Sequence, residues 1–212
     1  MSKTRELMTM VPVIPVVVLD RAEQAVPLAE ALVRGGLPII EITLRTVAGL
    51  DSIKNIAANV PNAVVGAGSV LTKVQAEAVK ASGGQFIVSP GCTDHLAAAV
   101  KETGLAFLPG AATASEVMRL RELGFTEQKF FPAALAGGPG MLKAISGPIT
   151  DVIFCPTGGI GVRNAGEYLS LPNVACVGGS WVTPRNAIAN GEWDKIESLA
   201  VNAARLHNET DH

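Results

Sequence analysis

Two short stretches place charged residues where their surroundings are apolar. In Ile39-Ile40-Glu41-Ile42-Thr43-Leu44-Arg45 apolar and polar residues alternate, and successive side chains of an extended strand point to opposite faces. Ile40, Ile42 and Leu44 share one face, and Glu41, Thr43 and Arg45 share the other. In Gln128-Lys129-Phe130-Phe131-Pro132 the same parity groups Lys129 with Phe131 and sets Phe130 opposite. With both segments as strands of one barrel, a carboxylate, a guanidinium and an amine face its interior. A structural ion pair is the plainer explanation, yet buried pairs are costly to desolvate and often no better than an apolar plug. In a chain with only 17% charged residues, three such groups on interior faces favour chemistry. An amine desolvated near a guanidinium releases its proton more readily and becomes a nucleophile toward a ketone. Lys129 is therefore the candidate nucleophile. Glu41 is its candidate acid/base partner, because imine chemistry needs several proton transfers.

A second constellation pairs Thr157-Gly158-Gly159 with Gly178-Gly179-Ser180. Glycine lets a backbone approach an anion closely, and the hydroxyls add donors. In barrel enzymes the loops after the last two strands, with a nearby helix N-terminus, commonly hold phosphate in this way. One Gly-Gly means little, since tight turns need glycine anyway; two hydroxyl-bearing pairs after consecutive strands mean more. Arg45 can add a cationic clamp for a carboxylate or a phosphate.

These residues need a scaffold, and the sequence repeats one eight times. Candidate strands are Val11–Leu19, Pro38–Leu44, Ala63–Val70, Phe86–Pro90, Ala106–Gly110, Gln128–Pro132, Asp151–Pro156 and Val174–Gly178. Their starts lie 20–27 residues apart, the length of one strand and one crossover helix. Between them the spacing is helical. Val26, Ala29, Leu32 and Val33 form one stripe, stopped by Gly35-Gly36; Leu50, Ile53, Ala57 and Val60 form a second, ended by Pro61-Asn62. Trp193, Ile196 and Ala200 stripe a last helix. Eight such units predict an α/β fold, a closed (β/α)8 TIM barrel with short loops, occupying residues 1–212 as a single domain. A doubly wound open sheet is the alternative, since both alternate strand and helix.

Bulk composition narrows the function classes. The 212 residues are 48% hydrophobic, 4% aromatic and rich in glycine (22), with a net charge of −2 and a positive mean hydropathy. No basic cluster invites nucleic acid. The longest apolar run, Val11–Leu19, has nine residues and two internal prolines, too short to span a bilayer. The opening MSKTRELMTM is too charged for a secretory signal. Three separated cysteines, Cys92, Cys155 and Cys176, fit reduced cytoplasmic thiols, and scattered histidines, two of them (His207 and His212) near the C-terminal end, offer no metal cluster. The reading is a cytoplasmic enzyme with core cysteines and surface histidines, and without metal or cofactor.

The stretches E-I-T-L-R-T (41–46), V-G-A-G-S-V-L (65–71), S-P-G (89–91), K-F-F-P-A (129–133), F-C-P-T-G-G-I (154–160) and G-G-S-W (178–181) are individually short. In this order and spacing they are specific. Over almost its whole length the chain resembles the 2-keto-3-deoxy-6-phosphogluconate (KDPG) aldolase family, also called 4-hydroxy-2-oxoglutarate (KHG) aldolases. The resemblance implies a class I aldolase of the Entner–Doudoroff pathway: a homotrimeric barrel cleaving phosphorylated keto acids without metal or cofactor. It implies Lys129 as Schiff-base lysine, Glu41 as general acid/base and Arg45 as a substrate-anion ligand. Pro90 and Phe131 match pocket-lining positions, Thr157 a substrate-contacting threonine, and Gly158, Gly159, Gly179 and Ser180 the phosphate loops. Ser69 departs from the family motif G-A-G-T-V: the hydroxyl that meets the pyruvyl carboxylate is kept and a methyl is lost. Three rivals are an aldolase for the C4-epimeric, galactonate-derived substrate, a sugar-phosphate epimerase or isomerase on a similar barrel, and a catalytically silent phospho-ligand sensor or assembly subunit. Cys92, after Pro90-Gly91, reads as a buried spacer rather than a residue lining the mouth.

Overall fold

The computed structural model describes residues 1–207. Nine short strands run through it: β1 (Val13–Val17), β2 (Ile39–Thr43), β3 (Val64–Gly68), β4 (Phe86–Val88), β5 (Ala106–Leu108), β6 (Gly110–Ala111), β7 (Glu127–Phe130), β8 (Ile153–Pro156) and β9 (Val177–Gly179). All strand pairings are parallel, in a six-stranded sheet ordered β5-β4-β3-β2-β1-β9 and a three-stranded sheet ordered β6-β7-β8. The order steps through sequence neighbours and then joins the first strand to the last. A doubly wound sheet instead reverses its strand order at a switch point, and no reversal occurs here.

The expected fifth strand, Ala106–Gly110, is divided in two. Pro109 has no N–H to give to a ladder, so β5 pairs with β4 before it and β6 with β7 after it. Single bridges, Phe154 to Val174 and Thr157 to Gly178, connect β8 to the segment of β9. The first strand is shorter than Val11–Leu19, and the last is Val177–Gly179 rather than Val174–Gly178. Apolar runs continue past the residues that find ladder partners.

Both faces of the strands are covered, as parallel strands require. Ile39, Ile40 and Ile42 are fully buried, with Phe130 and Phe154 meeting edge to face at 6.2 Å between centroids. The helix Ala25–Arg34 ends at Gly35 and Gly36 as expected, the latter at φ +87°. In the helix Gly49–Asn59 the expected stripe holds at Ile53 and at the C-cap Val60, both buried, and fails at one position: Ile56 is buried and Ala57 exposed. Larger apolar area decides which of two neighbours turns inward. Threonines 72, 93 and 113 cap the helices that follow β3, β4 and β6, each hydroxyl accepting from an N–H three residues on, and so fix where the chain turns after each strand.

The charged N-terminal stretch forms a helix, Lys3–Met10, that sequence spacing did not announce. Tertiary docking holds it: Ser2 Oγ and Arg5 Nε both donate to the Glu127 carboxylate at 2.9 Å, and Met8 is buried. Its neighbours Ile14, Ile39, Phe86 and Ala106 lie at the amino-terminal ends of their strands, so the helix closes the end opposite the carboxyl-terminal loops. Among the described residues no helix is long and apolar enough to cross a membrane.

Candidate active site

Lys129 and Glu41 meet in the interior, on β7 and β2. Lys129 Nζ stands 3.4 Å from Glu41 Oε1, with the two side chains 5% and 4% exposed. Backbone pairing fixes the amine: Lys129 N donates to the Pro109 carbonyl at 2.8 Å, and Phe131 N to that of Ala111 at 3.1 Å. The parity expected for both strands holds, since Lys129 Nζ lies 5.4 Å from the centroid of the Phe131 ring while Phe130 is buried in the core. Thr43 is fully buried on the Glu41 side of β2, its hydroxyl donating to the Val17 carbonyl at 3.0 Å.

Arg45 is placed differently from the sequence reading. The strand ends at Thr43, so Arg45 is exposed beyond it rather than inside. Its Nε donates to Ser69 Oγ at 2.9 Å, and the ionic neighbour of Lys129 is a carboxylate instead of this guanidinium. Ser69 has φ +60°. A β-branched residue is a genuine outlier there, so serine carries this hydroxyl with less strain than threonine would.

A cavity of about 380 Å³ opens beside the pair at the carboxyl-terminal ends of the strands, a volume suited to a small metabolite. Arg45, Phe131, Thr157, Gly158, Gly159, Gly179 and Ser180 line it together, so most of the expected site converges. Glu41, Lys129, Ser69 and Pro90 are not in the lining. Lys129 lies behind Phe131, Ser69 is joined through Arg45, and the Pro90 carbonyl packs where a Cβ on Gly110 would sit. The carbonyls of Thr157 and Gly158 accept from Ala133 N (2.8 Å) and Ala134 N (3.0 Å), which pins the loop. Gly158 and Gly159 turn it at φ +100° and +74°, where side chains are strained. The helices after these loops, Ala165–Leu169 and Arg185–Ala189, have five residues each, so the expected contribution of a helix N-terminus is slight.

Several residues escaped the sequence reading. Val16, Val18, Ile160, Thr183, Pro184 and Arg185 also line the cavity. Gly68 is essential in another sense: a Cβ there would overlap the Glu41 carboxylate. Two glycines two apart on β3, Gly66 and Gly68, were the available signal, since glycine within a strand marks a close approach. Gly68→Ala is expected to push Glu41 away from Lys129, costing about 1–3 kcal/mol of stability by overpacking and lowering kcat about tenfold or more. Steady-state rates beside thermal melts check this, and an unchanged kcat would refute the need for that niche.

Cys92 is half-buried and outside the cavity lining; burial and the nearby Asp94 push its thiol up to about 11. It is a protonated spacer at neutral pH. Cys155 and Cys176 are buried as expected, and His95 is exposed. His212 lies outside the described residues, as does the side chain of His207.

Fold and site together define a class: a parallel α/β protein whose strand ends gather a buried amine, a carboxylate and a glycine-turned cavity. The family model for KDPG and KHG aldolases matches residues 4–199. The 2-dehydro-3-deoxy-phosphogluconate aldolase of Pseudoalteromonas atlantica is 50% identical over 192 residues, covering 91% of this chain and 89% of that one. The KHG/KDPG aldolase of Escherichia coli K12 is 46% identical over 199 residues, covering 94% and 93%. A crystal structure of the Legionella pneumophila KDPG aldolase, with pyruvate captured at low pH as a covalent carbinolamine intermediate, superposes with a TM-score of 0.93 at 45% identity. It covers 96% of this chain and 98% of that one. The chain belongs to the KDPG and KHG aldolase family.

Proposed function

We propose that the protein is a class I aldolase that cleaves 2-keto-3-deoxy-6-phosphogluconate to pyruvate and glyceraldehyde 3-phosphate, and 4-hydroxy-2-oxoglutarate to pyruvate and glyoxylate. The observation that carries this reading is the buried contact of Lys129 Nζ with Glu41 Oε1 at 3.4 Å. Lys129 passes a proton to Glu41 and attacks the C2 ketone as the free amine, and Glu41 then relays protons while the carbinolamine loses water. The iminium formed is an electron sink. Glu41, directly or through a water, takes the C4 hydroxyl proton; the C3–C4 bond breaks, its electrons enter the iminium, and the aldehyde leaves. The enamine left behind is protonated at C3, and water hydrolyses the resulting imine to pyruvate and free Lys129.

The cavity supplies placement. Arg45, braced by Ser69, takes the carboxylate beside the ketone, with Phe131 as an apolar wall and Thr157 as a hydroxyl contact, while Pro90 backs the site from behind the lining. The backbone of Gly158, Gly159, Gly179 and Ser180 holds the phosphate. Holding the scissile C3–C4 bond parallel to the π orbitals of the iminium, so that its electrons can enter them, is the kind of orientation that contributes a large share of the acceleration in enzymes generally. The gluconate-derived substrate is favoured over its C4 epimer because the Pseudoalteromonas atlantica relative carries that activity in its name at 50% identity. Epimerase, isomerase and sensor readings leave the Lys129–Glu41 pair without a task.

We further propose that the described residues, 1–207, form one closed (β/α)8 barrel and a single domain. It is supported by the β1–β9 pairing, the Thr157–Gly178 bridge and the chain continuity through Pro109. A cytoplasmic homotrimer follows from the family resemblance and the unpaired thiols, and light scattering giving a monomer mass would contradict the assembly. Activity is tested with a lactate-dehydrogenase-coupled pyruvate assay on both C4 epimers and on the unphosphorylated acid. The gluconate-derived ester is expected to give the highest kcat/KM, exceeding the unphosphorylated acid by about tenfold or more, the scale on which a charge-assisted anion contact discriminates. A higher value for the other epimer would overturn the substrate assignment.

A further inference from the structure

Arg185 belongs to none of the motifs, yet it lines the cavity beside Gly158, Gly159, Gly179 and Ser180. The cavity lining holds two cations, Arg45 and Arg185, and no carboxylate. They flank it: Arg45 follows β2, while Arg185 follows β9, and β1 lies between these strands in the sheet. Arg45 is engaged by Ser69 at 2.9 Å. Arg185 is loosely held, its Nη2 standing 3.6 Å from Asp20 Oδ1 with side chains 66% and 71% exposed. By contrast, Arg121 Nε reaches both oxygens of Asp151 at 2.8 Å. A solvated pair beyond hydrogen-bond length contributes little, so the guanidinium exchanges partners readily.

We infer that Arg185 is the phosphate-side cation of this site and sets its preference for phosphorylated over unphosphorylated keto acids, exchanging Asp20 for the phosphate when substrate binds. The inference rests on the aldolase reading for its substrate but has its own chemistry. A phosphate monoester carries between one and two negative charges at neutral pH, whereas glycine N–H groups and the Ser180 hydroxyl are neutral donors. Arg185 is the charged side chain on that flank of the lining, and guanidinium geometry suits bidentate phosphate contacts. An acid that ends at a carboxylate next to C4 stops short of it. Asp20 then acts as a competitor, holding the guanidinium until a stronger anion arrives.

The test compares kcat/KM of wild type, Arg185→Ala, Arg185→Lys and Asp20→Asn on the phosphorylated and unphosphorylated acids, at low and high salt. Arg185→Ala is expected to lose about tenfold more on the phosphorylated acid than on the other, chiefly through KM. Arg185→Lys retains part of the discrimination. Asp20→Asn raises kcat/KM for the phosphorylated acid about two- to threefold at low salt, a gain that shrinks when salt screens it. Equal losses on both acids, or none on either, would overturn the inference. Calorimetry with inorganic phosphate separates it from the aldolase reading: binding weakened in Arg185→Ala supports the cation site even without turnover, and unweakened binding contradicts it.

Discussion

Replacing Lys129 with methionine is expected to reduce kcat by about 10⁴-fold or more, because a covalent mechanism loses its bond-forming atom. The stability effect is separate and has a definite sign. Lys129 and Glu41 are 5% and 4% exposed, so removing the amine strands a buried carboxylate. Breaking such a pair costs about 3–5 kcal/mol, which for a chain of this size lowers Tm by roughly 10 °C. Replacing both partners, Lys129→Met with Glu41→Gln, removes the unpaired charge and is expected to recover most of that loss while remaining inactive. Thermal melts of the single and double variants check this. A double variant as unstable as the single one would mean that the pair is not the electrostatic unit described.

Glu41→Gln is expected to lower kcat by about 10²–10⁴-fold, the range contributed by a positioned general acid/base, with a much smaller change in KM. Glutamine keeps the side-chain length and fits the niche that Gly68 leaves open, so the amine is still positioned. Pyruvate therefore still reaches Lys129, more slowly, and the defect appears in the proton-transfer steps. Steady-state kinetics with the rate of pyruvate trapping separate the two effects. Equal losses in turnover and docking would assign Glu41 a structural role instead.

The chemistry was legible in the sequence because it lies on strands, where parity is strict. Glu41 and Lys129 could be assigned to one interior from alternation together with the repeated strand–helix pattern, and they meet at 3.4 Å. Arg45 has the right parity but lies two residues past the end of β2, where the strand rule lapses. Features set by convergence of distant segments were harder to read. Arg185 lines the cavity because the loops after β8 and β9 converge on it, and no local spacing records this. The helix Lys3–Met10 depends on Glu127, more than 100 residues away. Pro109 was visible, but its effect on the ladder depends on which strand needs an N–H there. The choice of Ile56 over Ala57 as an inward residue lay within the phase error of a short stripe.

The most direct test of the Schiff-base site is borohydride reduction of the protein in the presence of pyruvate, followed by peptide mass mapping. The expected result is one reduced pyruvyl group per chain, carried by the peptide containing Lys129 and absent from Lys129→Met. An unmodified Lys129, or an adduct on another lysine that persists in Lys129→Met, would contradict it.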